Sequence, residues 1–292
     1  MKLNKQILKK LVVGTVQLGS AYGIANIKSN FPNKKEKDVF FQFLKKNNLN
    51  RYDTAPGYHT EKLIGSYYKE KKINLEVYSK IPSLKKIQNK KKFVEFCIKK
   101  SLKNLNSPIS KFFFHDPEDF KFITKNSFYL NNLKKKFKIK NFGISLYELS
   151  ENKIALINKH NIDVQLPVNL TNFKKIKLNK LKVEIFARSI FLQGLLVNKK
   201  IKKKLLTNEL NLAHKEYFKF LKLHRFDPLN LNLNFILGLK KIHKVVIGFN
   251  SIKELNKILK IKKKVYKKRY FSDVYNIFKN INTDPRLWNE KK

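Results

Sequence analysis

The chain has 292 residues, of which 42% are hydrophobic, and it carries a formal net charge of +44. This length suits two average domains or one α/β barrel of about 250 residues, so length alone does not decide the domain number. The single cysteine, Cys97, excludes an internal disulfide and a cysteine metal cluster. It fits a reducing compartment, and no apolar run approaches the roughly 20 residues that span a bilayer. We therefore expect a cytoplasmic protein.

The high positive charge also allows a protein that binds nucleic acid or another polyanion. The lysines, however, occur in short runs along the whole chain, and arginine, which commonly reads bases, is rare. The sequence has no zinc-finger spacing, homeodomain pattern or aromatic RNA-binding motif. We therefore expect solvated lysine faces and keep polyanion binding as an alternative.

Eight short runs rich in β-branched and aromatic residues predict strands. In chain order they are LVVGTVQL from Leu11, LNRYDTA from Leu49, LEVYSKI from Leu75, KFFFHD from Lys111, IKNFGIS from Ile139, DVQLPVNL from Asp163, VEIFARSI from Val183 and KVVIGF from Lys244. The first run follows a basic start and could be the apolar part of a signal peptide. Gly14, Thr15 and Gln17 interrupt it, which favours a buried strand.

Longer stretches with helical spacing lie between these strands. They cover about 34–47, 60–71, 90–105, 117–136, 147–160, 172–180, 208–240 and 251–263. The stretch 208–240 is long enough for more than one helix, and the tail 265–292 predicts an extra C-terminal helix. Strand-then-helix units without a linker predict parallel strands in one closed (β/α)8 TIM barrel, a single domain over residues 1–292.

Active sites of such barrels lie at the carboxyl ends of the strands. Six of the predicted strands end in a polar residue that could act there, namely Asp53, Lys80, His115, Ser145, Gln165 and Ser189. Each residue alone has a common structural explanation, such as a helix cap or a solvated lysine. Their shared position on one rim favours a functional site.

A motif near the second strand points to a known family. The segment RYDTAPGYHTE at residues 51–61, followed by LIG at 63–65, resembles the motif that ends the second strand of aldo-keto reductases. His59 stands where that motif has a Gly after the Tyr. The resemblance continues in order over nearly the whole chain, with SK at 79–80, HDP at 115–117, GIS at 143–145, VQ at 164–165, ARS at 187–189, LQGLL at 192–196 and VIG at 246–248.

The resemblance implies an enzyme that reduces an aldehyde or ketone, with Asp53, Tyr58, Lys80 and His115 as catalytic residues. A carbonyl that accepts hydride becomes an alkoxide and needs a proton donor, which the phenol of Tyr58 would be. A cationic Lys80, held in place by Asp53, would favour the phenolate, and His115 would bond the substrate oxygen. No metal is required, and the sequence has no metal-ligand cluster. His59 is a rival donor, whereas His214, His224 and His243 are expected to be structural or solvated.

The same resemblance implies a dinucleotide, NADP(H) or alternatively NAD(H), laid across the barrel mouth. The sequence has no Gly-x-Gly-x-x-Gly loop, so a Rossmann site is not predicted. Gly14 and Thr15 would lie near the nicotinamide ribose, and Ser145 and Gln165 near its carboxamide. The pyrophosphate would lie in the loop 189–195, which holds Ser189, Phe191, Gln193 and Gly194.

The far end of the dinucleotide would lie near the last barrel helix. Gly248 and Ser251 precede that helix, whose free N–H groups would attract the adenosine phosphate. Lys253 and Lys257 would favour the additional phosphate of NADPH.

Besides His59, the chain departs from the family pattern at three further places. Leu146 stands where many relatives have Asn, Arg188 where they carry an aromatic residue stacked on nicotinamide, and Lys257-Ile258 where they have a Glu-Asn pair near adenine. Arg188 can stack as a planar cation. The departures keep open a second hypothesis, a catalytically weak barrel that binds cofactor as a regulatory ligand.

Two further segments resemble a bacterial branch of the family whose genes often lie near those for surface polysaccharides. They are QLG at 17–19 with YGIAN at 22–26, and FLQGLL at 191–196. A chain of this length leaves little for long rim loops. We therefore expect an open, polar mouth and a hydrophilic, sugar-like carbonyl substrate.

Overall fold

The computed structural model describes residues 5–20, 34–69, 75–201 and 205–288. Its strands are β1 (Leu11–Gly14), β2 (Arg51–Asp53), β3 (Glu76–Ile81), β4 (Ile109–Phe114), β5 (Asn141–Ser145), β6 (Asp163–Pro167), β7 (Ile185–Arg188) and β8 (Lys244–Ile247). Each strand pairs in parallel with the next, and β8 pairs with β1, so the sheet closes into a barrel. The predicted TIM barrel and its eight strands are confirmed. The YGIAN segment lies outside the described residues.

Helices follow the strands around the barrel. They are α1 (Lys5–Lys10), α2 (Val16–Gly19), α3 (Lys34–Lys46), α4 (Glu61–Lys69), α5 (Lys90–Leu105), α6 (Phe120–Lys125), α7 (Ser127–Phe137), α8 (Glu151–His160), α9 (Asn208–Leu223), α10 (Pro228–Gly238), α11 (Ile252–Leu259) and α12 (Lys268–Phe278). The stretch 208–240 forms two helices, α9 and α10. The predicted C-terminal helix is confirmed as α12, which packs against α9.

The prediction of a helix over 172–180 is wrong. The segment forms two short 3₁₀ turns, Phe173–Lys175 and Leu178–Lys180. The reason is local competition for backbone groups, because Asn172 Oδ1 accepts from Asn169 N at 3.0 Å and Asn172 Nδ2 donates to Pro167 O at 2.9 Å. Asparagine side chains that bond the backbone in this way favour turns over helix.

The first strand is shorter than its apolar run, which predicted strand as far as Leu18. It ends at Gly14, and α2 begins two residues later. Both N and Oγ1 of Thr15 donate to Asp53 O, at 3.1 and 3.0 Å. These bonds hold the chain at the rim and turn it out of the strand direction.

Aromatic side chains fill the inside of the barrel. Phe186 makes edge contacts with Tyr78 and Phe113, in both cases with ring centroids 4.9 Å apart. Gly143 lies so close to this layer that a Cβ there would come within 2.5 Å of the Phe113 ring. The barrel is therefore a packed core, and a ligand can bind only at its ends.

The amino-terminal end of the barrel is closed by ion pairs. Lys111 Nζ lies 2.5 Å from Asp163 and 3.0 Å from Glu184. Residues at this end of a TIM barrel usually serve stability, so the site is expected at the opposite rim. No helix in the described ranges is long and apolar enough to cross a membrane. Within the same ranges, His, Cys, Asp and Glu form no group that could hold a metal ion.

Candidate active site at the carboxyl rim

The rim residues predicted from the sequence lie on neighbouring strands. Asp53 and Ser145 are the last residues of β2 and β5, Lys80 is the last but one of β3, and His115 directly follows β4. The backbone N–H of His115 donates to Ile81 O at 2.9 Å, which fixes it beside β3. The parallel barrel therefore brings these side chains to one end.

Asp53 and Lys80 form a buried ion pair. Lys80 Nζ lies 2.5 Å from Asp53 Oδ1 and also donates to Thr54 O at 3.0 Å. Burial by itself favours the neutral amine, but the charges of Asp53 and Tyr58 outweigh it and raise the pKa of Lys80. Lys80 is therefore a fixed cation at neutral pH.

Tyr58 lies next to this cation. It ends a 3₁₀ turn, Pro56–Tyr58, and its N–H donates to Ala55 O at 3.0 Å. Lys80 Nζ lies over the ring of Tyr58, 4.8 Å from its centroid. His59 closes the turn with φ of 57°, a left-handed conformation that suits Gly and explains a Gly at this place in the motif. His59 itself is exposed.

His115 completes the group around Tyr58. The two rings meet edge to face with centroids 6.1 Å apart. Although the residue reaches solvent at the mouth, desolvation and then the charge of Lys80 lower the pKa of His115 to about 4. An ordinary imidazole, with a pKa of about 6.5, is already mostly neutral at pH 7. Because the pKa of His115 is lowered further, its ring is neutral at that pH. A neutral imidazole can still donate one hydrogen bond.

Gln165 is joined to this group by a contact that the sequence did not predict. Its Nε2 donates to Asp53 Oδ2 at 2.7 Å, and the side chain is fully buried. The amide orientation follows from the chemistry, because the carbonyl oxygen of Gln165 would be repelled by the carboxylate. Ser145, in register with Gln165, is also buried.

Two other positions of the motif have structural roles. Glu61, 2% exposed, accepts from Ser79 Oγ at 2.7 Å and from Asn104 Nδ2 at 3.1 Å. A Cβ on Gly65 would lie 2.2 Å from Asn104 O. These contacts dock α4 onto α5 and β3, which positions the turn that carries Tyr58.

The end of β1 lies directly beside the ion pair. Gly14 is in register with Asp53, and Thr15 is fully buried. The Thr15 hydroxyl lies 2.9 Å from that of Thr60, which in turn lies 2.8 Å from that of Thr54. This chain of hydroxyl groups ties β1 and β2 to the start of α4.

The loop after β7 has an unusual backbone. Ser189, Leu192 and Gln193 have φ of 53°, 47° and 52°, and Gly194 has φ of 96°. Such conformations cost about 1–3 kcal/mol each in residues other than glycine and are common at functional sites. The Oε1 atom of Gln193 is buried without a hydrogen-bond partner among the described residues. Phe191 packs against the core and anchors the loop.

Arg188 is the last residue of β7, and its side chain contacts the segment that follows β5. Its guanidinium lies over the ring of Tyr147, 4.7 Å from the centroid, and its Nη2 donates to Leu146 O at 3.2 Å. The expectation that Arg188 faces nicotinamide stays a prediction.

The ends of β8 and α11 form the other side of the rim. Gly248 lies against Gln17, since a Cβ would come within 2.4 Å of the Gln17 amide. Ser251 Oγ accepts from Glu254 N at 3.2 Å, and the Glu254 carboxylate accepts from Asn250 N at 2.8 Å. Ser251 therefore caps the helix, and an acidic side chain already lies at the same end.

A model of the aldo/keto reductase family matches residues 10–278, nearly the whole chain. The chain belongs to the aldo/keto reductase family. It is therefore an oxidoreductase that acts on small carbonyl compounds with a nicotinamide cofactor.

Solved structures support the fold of this aldo/keto reductase. The chain is similar to the glycerol dehydrogenase AKR11B4 from Gluconobacter oxydans, with a TM-score of 0.71 and 18% sequence identity. The match covers 94% of this chain and 93% of that one. At this identity the likeness concerns the fold alone. None of the curated proteins compared with the chain matches it.

Proposed function

We propose that this aldo/keto reductase reduces a hydrophilic aldehyde or ketone to the alcohol, with Tyr58 as the proton donor. The observation that carries the proposal is the buried Asp53–Lys80 pair with its amine over the ring of Tyr58. When bound, the nicotinamide supplies the hydride that the carbonyl carbon accepts. The residues of the chain act on the carbonyl oxygen, which gains negative charge as the hydride arrives.

Proton transfer from Tyr58 leaves negative charge on the phenol oxygen. The fixed Lys80 cation stabilises that charge, because opposite charges attract strongly in a site with little water. Asp53 holds the amine in place and keeps it charged. Tyr58 is only partly buried, so a substrate can approach its side chain.

His115 has a different task. As a neutral ring it donates a hydrogen bond to the substrate oxygen and orients the carbonyl without adding a second positive charge next to Lys80. The neutral state also prevents repulsion between the two groups. Tyr58 and His115 therefore approach the oxygen as two separate donors.

The rim residues fit a dinucleotide. Among the described residues, two buried amide oxygens have no hydrogen-bond partner, Gln193 Oε1 in the loop after β7 and Gln17 Oε1 beside Gly248. We assign the nicotinamide end to Gly14, Thr15, Ser145 and Gln165. The loop of Ser189, Phe191, Gln193 and Gly194 would hold the pyrophosphate, whose contacts would offset the cost of its left-handed residues.

NADPH is proposed as the preferred cofactor. Gly248 and Ser251 would lie near the adenosine end, with Lys253 and Lys257 on the following helix to attract the extra phosphate. Ser251 Oγ already binds one N–H group of the helix end, and the Glu254 carboxylate adds negative charge there, so the lysine side chains carry most of this preference.

A substrate panel tests the function. Aldehydes, ketoses and sugar-nucleotide ketones are mixed with NADPH and NADH, and loss of reduced-cofactor absorbance is followed. The proposal expects turnover of hydrophilic carbonyl compounds, faster with NADPH. Tight cofactor binding, measured by protein fluorescence, without turnover of any panel member would instead support a regulatory barrel.

A further inference from the structure

A cavity of about 680 Å³ lies on the rim beside the proposed active site, and its walls carry an excess of positive charge. Residues after β5, β6 and β7 line it together with the C-terminal segment 279–286. The charged members of this lining are Lys175, Arg188, Lys279 and Arg286 against one carboxylate, Asp284. A cavity of this volume can take part of a small molecule.

Two of these cations are arginines, which this chain rarely uses. The sequence has five arginines, and two of them, Arg188 and Arg286, lie over the same ring, that of Tyr147, at 4.7 and 3.6 Å from its centroid. In so basic a chain a lysine at a cavity needs no explanation. Arginine differs, because its planar fork matches the oxygens of a carboxylate or phosphate.

Arg286 already has an anionic partner. Its Nε lies 3.0 and 2.9 Å from the two carboxylate oxygens of Asp284. These bonds hold the pKa of Asp284 below its usual range, so the carboxylate stays charged. The pair also fixes the C-terminal segment against Tyr147, which shapes the wall of the cavity.

Arg188 lacks such a partner. Its hydrogen bonds go to Leu146 O at 3.2 Å and Ser189 Oγ at 3.4 Å, and no described carboxylate lies within ion-pair distance of it. Its Nε is buried and bonds to no described group. Asp284 in the same lining interacts with it only at longer range. A partly buried cation without a direct ion pair is unfavourable, and a bound anion would reduce that cost.

Arg188 also connects the cavity with the catalytic group. It ends β7 at the carboxyl rim, and its Nη2 donates to Leu146 O directly after β5, the strand that pairs with β4 and so lies next to His115. A molecule whose carbonyl lies at Tyr58 and His115 can therefore extend toward Arg188.

We propose that the cavity binds an anionic group of the carbonyl substrate, a carboxylate or a phosphate, with Arg188 as its direct contact. The inference rests on the proposed reductase function and narrows its substrates to acidic carbonyl compounds. Ser189 and Gln193, assigned above to the pyrophosphate of the cofactor, also line this cavity. The pyrophosphate is therefore the other source of the same chemistry, and the experiment distinguishes the two.

The test compares two aldehydes that differ only in charge, 4-carboxybenzaldehyde and benzaldehyde, with saturating NADPH. The measured quantity is the ratio of their kcat/KM values. Salt at about 0.5 M shortens the screening length to a few ångströms, so the general field of the basic surface is removed. Wild type is expected to favour the carboxylate at least tenfold, Arg188→Gln to lose that preference and Arg188→Lys to keep part of it.

Lys240→Gln is the matched control, because it removes one positive charge at the opposite end of the barrel. It should keep the wild-type ratio. An equal ratio near 1 in wild type and Arg188→Gln would overturn the inference. The inference would also be overturned if Arg188→Gln kept the wild-type ratio of kcat/KM values while its Kd for NADPH rose tenfold, since Arg188 would then hold the cofactor.

Absence of turnover with both aldehydes would count against the reductase function and not against the cavity. Calorimetry of benzoate binding to the NADPH complex then tests whether the cavity binds an anion. Binding to wild type but not to Arg188→Gln supports the anion site, and equal or absent binding overturns it.

Discussion

The side-chain amide of Gln165 donates a 2.7 Å hydrogen bond to Oδ2 of Asp53, while Oδ1 of the same carboxylate binds Lys80. Both oxygens of a buried acid are thus engaged, one by an amide from β6 and one by a cation from β3. A carboxylate held on both sides keeps one orientation. The position of the amine next to Tyr58 therefore depends on a residue four strands away from β2.

Replacing this amide should weaken catalysis through Asp53. Gln165→Met keeps the size of the side chain and removes the donor, and kcat at saturating NADPH should fall about tenfold. In Gln165→Glu the kcat should fall further, because two carboxylates would face each other. It should recover in part toward pH 5, as the introduced carboxyl is protonated. The pH profile of kcat measures this difference. A similar loss in Gln88→Met, at an exposed position, would contradict the assignment.

The Asp53–Lys80 pair should show strong coupling in stability. Lys80→Met leaves a buried carboxylate without its cation and should cost about 3–5 kcal/mol, whereas the double variant Asp53→Asn/Lys80→Met should cost less. Urea denaturation measures both. Since the pKa of Lys80 is raised, its contribution should be complete below pH 10.5, its ordinary value, and be lost as the pH rises through the raised pKa. Equal costs for single and double variants would refute the coupling.

The neutral state of His115 predicts a distinct pH dependence. Because its pKa is lowered to about 4, the folded protein binds fewer protons than the unfolded chain between about pH 6.5 and 4. Stability from this residue is therefore present above pH 6.5 and lost as the pH falls through that range. The Tm difference between wild type and His115→Gln should shift in favour of the variant on acidification. An NMR titration of the His115 ring with a midpoint near 6.5 would contradict the lowered pKa, and a midpoint well above 7 would argue against the neutral donor.

The packed interior of the barrel makes Gly143 sensitive. Gly143→Ala would place a Cβ 2.5 Å from the Phe113 ring and 2.6 Å from the backbone oxygen of Asp163, which cannot move away easily. The free energy of unfolding should fall by about 1–3 kcal/mol or more. Gly238→Ala is the control, since a Cβ there meets nothing within 4 Å at the end of α10. It should be neutral or slightly stabilising, and a comparable loss in both variants would contradict the packing argument.

The strands, and the position of Asp53, Lys80 and His115 together at one rim, were predictable because local sequence determines them. Apolar runs bounded by polar strand ends mark the barrel, and parallel strands must bring their carboxyl ends together. The geometry around Asp53, Lys80 and His115 follows from that arrangement once each strand is placed.

Other features depend on contacts that a linear pattern does not contain. The bond from Gln165 to Asp53 joins residues 112 positions apart. The stacking of Arg286 on Tyr147 depends on the path of the C-terminal segment. The failed helix at 172–180 arises from the side-chain bonds of Asn169 and Asn172, which outweigh helical spacing.

The most direct test of the account is the activity of Tyr58→Phe. This change removes only the hydroxyl, so reductase turnover with NADPH should fall by at least 100-fold, a typical contribution of a general acid, while the Kd for NADPH changes little. His59→Asn, which tolerates the left-handed turn, should keep its turnover. Undiminished reduction by Tyr58→Phe, or loss of activity in His59→Asn alone, would contradict the assignment of Tyr58 as the proton donor.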